Sequence, residues 1–209
     1  RETWAELPDA QDIAADPSGT NTLVITLPFP EEGFLAVREK NPPPLFSDDL
    51  ETGAAGWTTI INDAFGNTEW ELGTPTGTTG PLAGAGESVN AWCTGLGDYG
   101  VESDISLRTP AIDLSGVASA LLSFDAYRDA DGFGDTATIR FLRYSDQSQL
   151  GEDVPIDMTI FDVDYDAIEV LVPAAAIGES VLIEFNFVSD GTLDTFSGLC
   201  LDNILVQVP

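Results

Sequence analysis

Histidine is absent from the 209 residues, and basic side chains are scarce, with 7 Lys and Arg against 36 Asp and Glu. Without histidine there is no Ser-His-Asp or Cys-His catalysis, no imidazole proton shuttle and no His-ligated zinc. Lys40 is the sole lysine, which leaves almost no room for Schiff-base or phosphate-loop chemistry. A formal net charge of −29 opposes binding to nucleic-acid phosphates and to anionic membrane surfaces. No apolar run approaches the ~20 residues that a membrane span needs. There is also no secretory leader and no initiator Met, so the chain reads as a processed protein or an excised fragment. What survives is carboxylate chemistry and carboxylate ligation of hard cations.

The charge does not signal disorder. Hydrophobic residues make up 43% of the chain, with 11 Phe and 4 Trp, enough for a sizeable core. Leu122, Phe124 and Ala126 alternate with Ser123, Asp125 and Tyr127; Val181, Ile183, Phe185 and Phe187 alternate with Leu182, Glu184, Asn186 and Val188. Further strands are expected at 57–61, 68–72, 87–93, 104–108, 136–144, 156–162, 167–172 and 199–208, between Gly, Pro, Asp, Asn and Ser clusters. Only Ala174–Ile177 suggests a helical turn. The pattern predicts an all-β antiparallel sandwich.

The first 44 residues read as a separate N-terminal extension. Residues 22–29 form one well-patterned strand, with Leu23, Ile25, Leu27 and Phe29 on one face. A stiff Asn41-Pro42-Pro43-Pro44 linker follows, and the domain at 45–209 begins after it. Residues 73–87 form a low-complexity Gly/Thr/Pro loop, expected to be exposed. Its Thr74, Thr76, Thr78 and Thr79 are candidate O-glycan acceptors, set against the simpler reading of an unmodified surface loop.

Three segments in order resemble MAM-like extracellular jelly-roll domains, including the bacterial choice-of-anchor type. They are Phe46-Ser47-Asp48-Asp49-Leu50-Glu51 before Gly56-Trp57; Thr109-Pro110-Ala111-Ile112-Asp113-Leu114-Ser115; and Gly198-Leu199-Cys200-Leu201-Asp202-Asn203-Ile204. The resemblance covers 45–208. It implies an antiparallel jelly-roll β-sandwich at the cell surface or secreted, with a structural Ca²⁺ where the opening and last strands meet. The matching ligands are Glu51 and Asp202, with Asp49 and Asn203 beside them. Asn203 stands where the group has an acid, and Leu199 where it has an aromatic. Ca²⁺ takes about six to eight oxygen ligands, and carboxylates distant in sequence suit it.

Asp129, Asp131 and Asp135 around Gly132 and Gly134 offer a second metal loop, but the distal Glu of a calcium-binding hand is missing and a solvated turn is the favoured reading. Cys93 and Cys200 are either one disulfide or two buried thiols; in an extracellular chain the bond is preferred. Trp57, Trp70, Trp92 and Tyr99 are candidates for a sugar-stacking platform or, more simply, for the core. With 36 acids, carboxylate pairs arise everywhere by chance, so no enzyme is expected.

Two functions remain. One is a self-assembling extracellular subunit that donates residues 22–29 to a neighbouring copy, forming a head-to-tail filament or surface layer. The alternative is a carbohydrate-binding or adhesion module of a larger secreted protein, with glycans as partners. Calcium is expected under both.

Overall fold

The computed structural model describes residues 43–86, 88–192 and 195–209. The expected assembly strand, with Leu23, Ile25, Leu27 and Phe29, therefore falls outside the described residues. The chain divides into units Arg1–Pro42 and Pro43–Pro209, a division that falls inside the proline run.

The described residues carry twelve strands: β1 (Phe46–Asp48), β2 (Thr58–Ile61), β3 (Glu71–Gly73), β4 (Ala91–Cys93), β5 (Asp104–Arg108), β6 (Ile112–Asp113), β7 (Leu121–Asp129), β8 (Thr136–Arg143), β9 (Val154–Ile156), β10 (Asp166–Leu171), β11 (Ser180–Val188) and β12 (Gly198–Gln207). No helix occurs among them. Sheet A has the order β10-β7-β12-β4-β3, with β1 also on β12. Sheet B has the order β2-β5-β11-β8-β9, with β6 also on β11. Every pairing is antiparallel. The two sheets form the antiparallel sandwich that the alternation predicts, of the jelly-roll type that the resemblance implies.

The alternation works because side chains in a strand point to opposite faces in turn. Leu122, Phe124 and Ala126 of β7 face Ile183, Phe185 and Phe187 of β11 in one buried cluster. Phe124 meets Phe185 edge-on at 5.3 Å, and Tyr99 meets Phe187 at 5.1 Å, the geometry aromatic quadrupoles favour. Trp57, Trp70, Trp92 and Tyr99 are all buried. A sugar-stacking platform made of these rings is thereby excluded; they are core.

Strand β12 serves two partners on one side. Cys200 and Leu201 pair with β4, while Ile204–Val206 pair with β1. The register against β7 shifts between Asp202 and Leu205. Asn203 sits in this irregularity with φ 49°, a left-handed conformation that Asn tolerates better than most residues.

Three expected strands are shortened or lost. Of the run expected at 68–72 only Glu71 and Leu72 lie in β3. The run expected at 87–93 pairs only from Ala91. The run expected at 156–162 ends at Ile156 and continues as a loop. There the Asp157 carboxylate accepts hydrogen bonds from the Thr159 amide (3.0 Å) and hydroxyl (2.6 Å), a local turn that competes with a ladder. Residues 174–177 form a turn.

Candidate functional site

The outer face of sheet A is covered. Cys93 and Cys200 lie opposite each other on β4 and β12 and form a disulfide. With Ala91 and Tyr127 they make a small buried cluster against Tyr165. The loop between β3 and β4 folds across this face. Thr76 Oγ1 donates to the Leu96 carbonyl (3.0 Å), Thr78 Oγ1 to Asp98 (2.6 Å) and Thr79 Oγ1 to Asp129 Oδ2 (2.5 Å). Tyr165 OH donates to the Ala83 carbonyl (3.1 Å). Much of the loop is exposed, as expected, but it is fastened to the sheet by these bonds. Its Gly/Thr composition serves close approach, because a Cβ on Gly77 or Gly80 would strike Ser197, and one on Gly84 would strike Ser88, Asn90 and Asp202. Of the four candidate glycan acceptors, Thr74, Thr76, Thr78 and Thr79 are all exposed as residues, but three of the hydroxyls are committed to these bonds.

Glu51 and Asp202 both hold the same loop. Asp202 Oδ2 accepts from the Ala85 amide (2.8 Å) and from Ser88 Oγ (2.5 Å), and its Oδ1 from the Asn203 amide (2.7 Å). Glu51 Oε1 accepts from the amides of Val89 (3.0 Å) and Asn90 (2.7 Å). Asp49 and Asn203 lie elsewhere, lining a shallow hollow with Ser47, Asp48, Thr52 and Leu205. Asp49 accepts from the Glu51 amide, and Asn203 Nδ2 donates to Asp125 (2.8 Å). Among the described residues no three Asp, Glu or Cys side chains converge to hold a metal ion. Glu51 and Asp202 thus reach one corner of sheet A, where N–H donors bond Glu51 Oε1 and N–H and O–H donors bond both oxygens of Asp202. Asp202 is fully buried, and burial pushes its carboxyl above the ordinary aspartate range.

The second candidate loop also disperses its acids. Asp129 Oδ2 accepts from Thr79 and from the Ser197 amide (3.0 Å). Asp131 Oδ1 accepts from the Phe133 amide (3.1 Å), closing its own turn. Asp135 accepts from the Tyr99 hydroxyl and the Asp190 amide (2.9 Å), and burial raises its pKa. Asp131 closes a turn, whereas Asp129 and Asp135 are buried rather than solvated.

Sheet B presents the opposite kind of outer face. Register places Arg140, Glu184, Arg108 and Thr58 in one row across β8, β11, β5 and β2. The next row is Pro155, Thr138, Asn186, Ser106 and Ile60. Buried Glu184 accepts from Arg108 Nε (2.7 Å) and Arg140 Nη1 (3.1 Å). Arg108 Nη1 also reaches Gln147 (2.9 Å), and Arg140 Nε reaches Asp153 (3.2 Å). Asn186 Nδ2 donates to Asp104 (2.8 Å), to the Ile105 carbonyl (3.1 Å) and to Ser106 Oγ (3.2 Å). Asn62 Nδ2 bonds to the same Asp104 and Ser106 (3.0 and 3.1 Å). Thr58, Asn62, Thr136, Asp153, Pro155, Gln147 and Gln149 form an exposed rim. Sequence reasoning missed this site. The outward positions Glu184 and Asn186 were readable from the alternation, but the cross-strand register that joins them to Arg108, Arg140 and Ser106 was not.

No family model matches the chain, and no curated protein matches it. The described fold is similar to solved structures. The K1 cleaved adhesin domain of Lys-gingipain from Porphyromonas gingivalis has 20% identity and a TM-score of 0.52, covering 78% of this chain and 98% of that one. The K3 cleaved adhesin domain of the same protein has 20% identity and a TM-score of 0.52, covering 79% and 99%. The enzymatically active domain of bacteriophage CBA120 tailspike protein 4 has 15% identity and a TM-score of 0.52, covering 77% of this chain and 20% of that one. At these identities the likeness establishes a shared β-sandwich fold.

Proposed function

We propose that residues 43–209 are a non-catalytic extracellular recognition module that binds a neutral, hydroxyl-rich glycan across the outer face of sheet B. One observation carries the reading: Glu184, Asn186 and Ser106 fix Arg108, Arg140, Asp104 and Asn62 in a hydrogen-bonded array on a surface with an exposed polar rim. Donors and acceptors held in place lose little side-chain freedom on binding, so more of each contact survives as affinity. Five strands at about 4.8 Å spacing make a face roughly 19 Å across, room for a short oligosaccharide. Because the Trp rings are core, recognition rests on hydrogen bonds rather than stacking. A carboxylated sugar would meet Asp104, Asp153 and the overall charge, which favours a neutral one.

The disulfide supports an oxidising, extracellular setting. Adhesin domains use the same fold, and this agrees with the reading without carrying it. The MAM-like assignment of 45–208 belongs to the same proposal. The self-assembling alternative rests on Leu23–Phe29, outside the described residues, and the described domain adds nothing to it. The test is a glycan array probed with the full chain, followed by titration of Asn186→Ala. We expect binding to neutral oligosaccharides, weakened about tenfold by the substitution. An array blank for neutral glycans overturns the proposal.

A further inference from the structure

The loop at 157–165, which overlaps the strand expected at 156–162, turns apolar side chains outward. Met158 is buried, but Ile160 is 38%, Phe161 55% and Val163 98% exposed. The neighbouring turn between β7 and β8 carries Phe133, fully exposed. These two segments lie side by side. The Asp162 amide donates to the Arg128 carbonyl (2.9 Å), and a Cβ on Gly132 would strike the backbone of Met158 and Thr159. Phe161 packs on half-buried Phe196 with ring centroids 5.6 Å apart.

Two adjoining loops thus expose Phe133, Ile160, Phe161 and Val163, with Phe161 resting on Phe196, which packs against the core. Exposed apolar side chains concentrated in this way mark an interaction surface. Its charged surroundings are of one sign. Asp131, Asp157 and Asp164 stand beside it in the same two loops. Arg128 is buried and held by Asp162 (2.7 Å) and Asp166 (2.8 Å), so its charge is already neutralised. The other described arginines, Arg108, Arg140 and Arg143, are paired with acids on sheet B and the turn beyond it.

We propose that this end docks a cationic, apolar polypeptide segment of another protein. The apolar centre supplies the buried contact and the acidic rim supplies attraction and orientation. A second copy of the chain would bring the same negative charge and be repelled, and so would an anionic lipid surface. The site is distinct from the sheet B face and does not depend on it.

The probe is a short amphipathic Lys/Leu peptide titrated into the full chain, beside a Lys/Ser peptide of equal charge and phosphatidylcholine vesicles. We expect the Lys/Leu peptide to bind at least about tenfold more tightly than Lys/Ser. The double variant Phe133→Ser with Val163→Ser should abolish that difference while melting like the parent, since both side chains are already in water. Tyr144→Ser, an exposed aromatic at the other end of β8, should change nothing. Equal binding of the two peptides, or an unchanged Lys/Leu affinity in the double variant, overturns the proposal. Vesicle capture that depends on Phe133 also overturns it, because the occupant would then be lipid.

Discussion

The outer faces of the two sheets solve the same problem in different ways. Each is the polar side of an antiparallel sheet, and each contains acidic side chains withdrawn from water. On sheet A the acids Asp129 and Asp202 anchor a covering loop, using backbone amides and hydroxyls as donors. On sheet B the acid Glu184 anchors two arginines of neighbouring strands. The first arrangement closes a surface and the second leaves an ordered one available. A buried carboxylate thus reveals little about function until its donors are known.

Five experiments bear on this contrast. The largest effect belongs to the disulfide beneath the sheet A loop. Reducing Cys93–Cys200, which spans 107 residues, should cost on the order of 4–5 kcal/mol by chain-entropy reckoning. Denaturant midpoints of oxidised and reduced protein measure it, and equal midpoints would show that the loop alone holds the face. Next, Asp202→Ala strands three donors and should cost about 2 kcal/mol, with faster hydrogen exchange at Ala85. The matching change on sheet B, Glu184→Ala, should cost about 1 kcal/mol, because Arg108 and Arg140 are partly exposed and turn to water. The reverse ranking would break the comparison.

Smaller is the pH effect. Burial raises the folded-state pKa of Asp202 and Asp135 above 3.8, so between that value and the folded pKa the native state binds more protons than the unfolded chain. Their contribution to stability therefore grows as pH falls through the raised pKa and is lost as pH rises through it. Asp63 and Asp157 go the other way. The Asp104 amide lowers the first and the Thr159 hydroxyl the second, so their stabilisation persists above 3.8 and fades only below it. Thermal melts should show a stability maximum on the acid side of neutrality. Asp202→Asn should flatten the acid-side rise. The smallest effect concerns calcium at the corner of Glu51 and Asp202: a melting temperature a few degrees higher in millimolar calcium than in chelator is expected if a cation binds there, and coincident melts would remove the cation from that corner.

Much of the sandwich was legible in advance. The expected runs at 104–108, 136–144, 167–172 and 199–208 match β5, β8, β10 and β12 to within a residue or so. Period-two alternation over a buried face leaves few other choices. The Ile160–Val163 stretch misled because apolar composition alone cannot say whether a segment faces a core or a partner. For the loop at 73–87 the exposure was legible but not the attachment: Gly77, Gly80 and Gly84 are where the chain passes close to other atoms. The polar array of sheet B stayed hidden because it depends on which strands become neighbours.

The Cys93–Cys200 link has a mechanical meaning as well. Phe46 pairs with Val206, so a pull on the two ends of the domain peels β1 from β12 one residue pair at a time, starting at the open end. Unravelling stops when it reaches the covalent link. The 107 residues between the cysteines, about 370 Å of extended chain, stay out of reach of the force. Under tension the domain would lengthen only by the flanks outside the link, 50 residues at 43–92 and 9 at 201–209, while the sheet B strands β5, β8, β9 and β11 remain inside the protected ring.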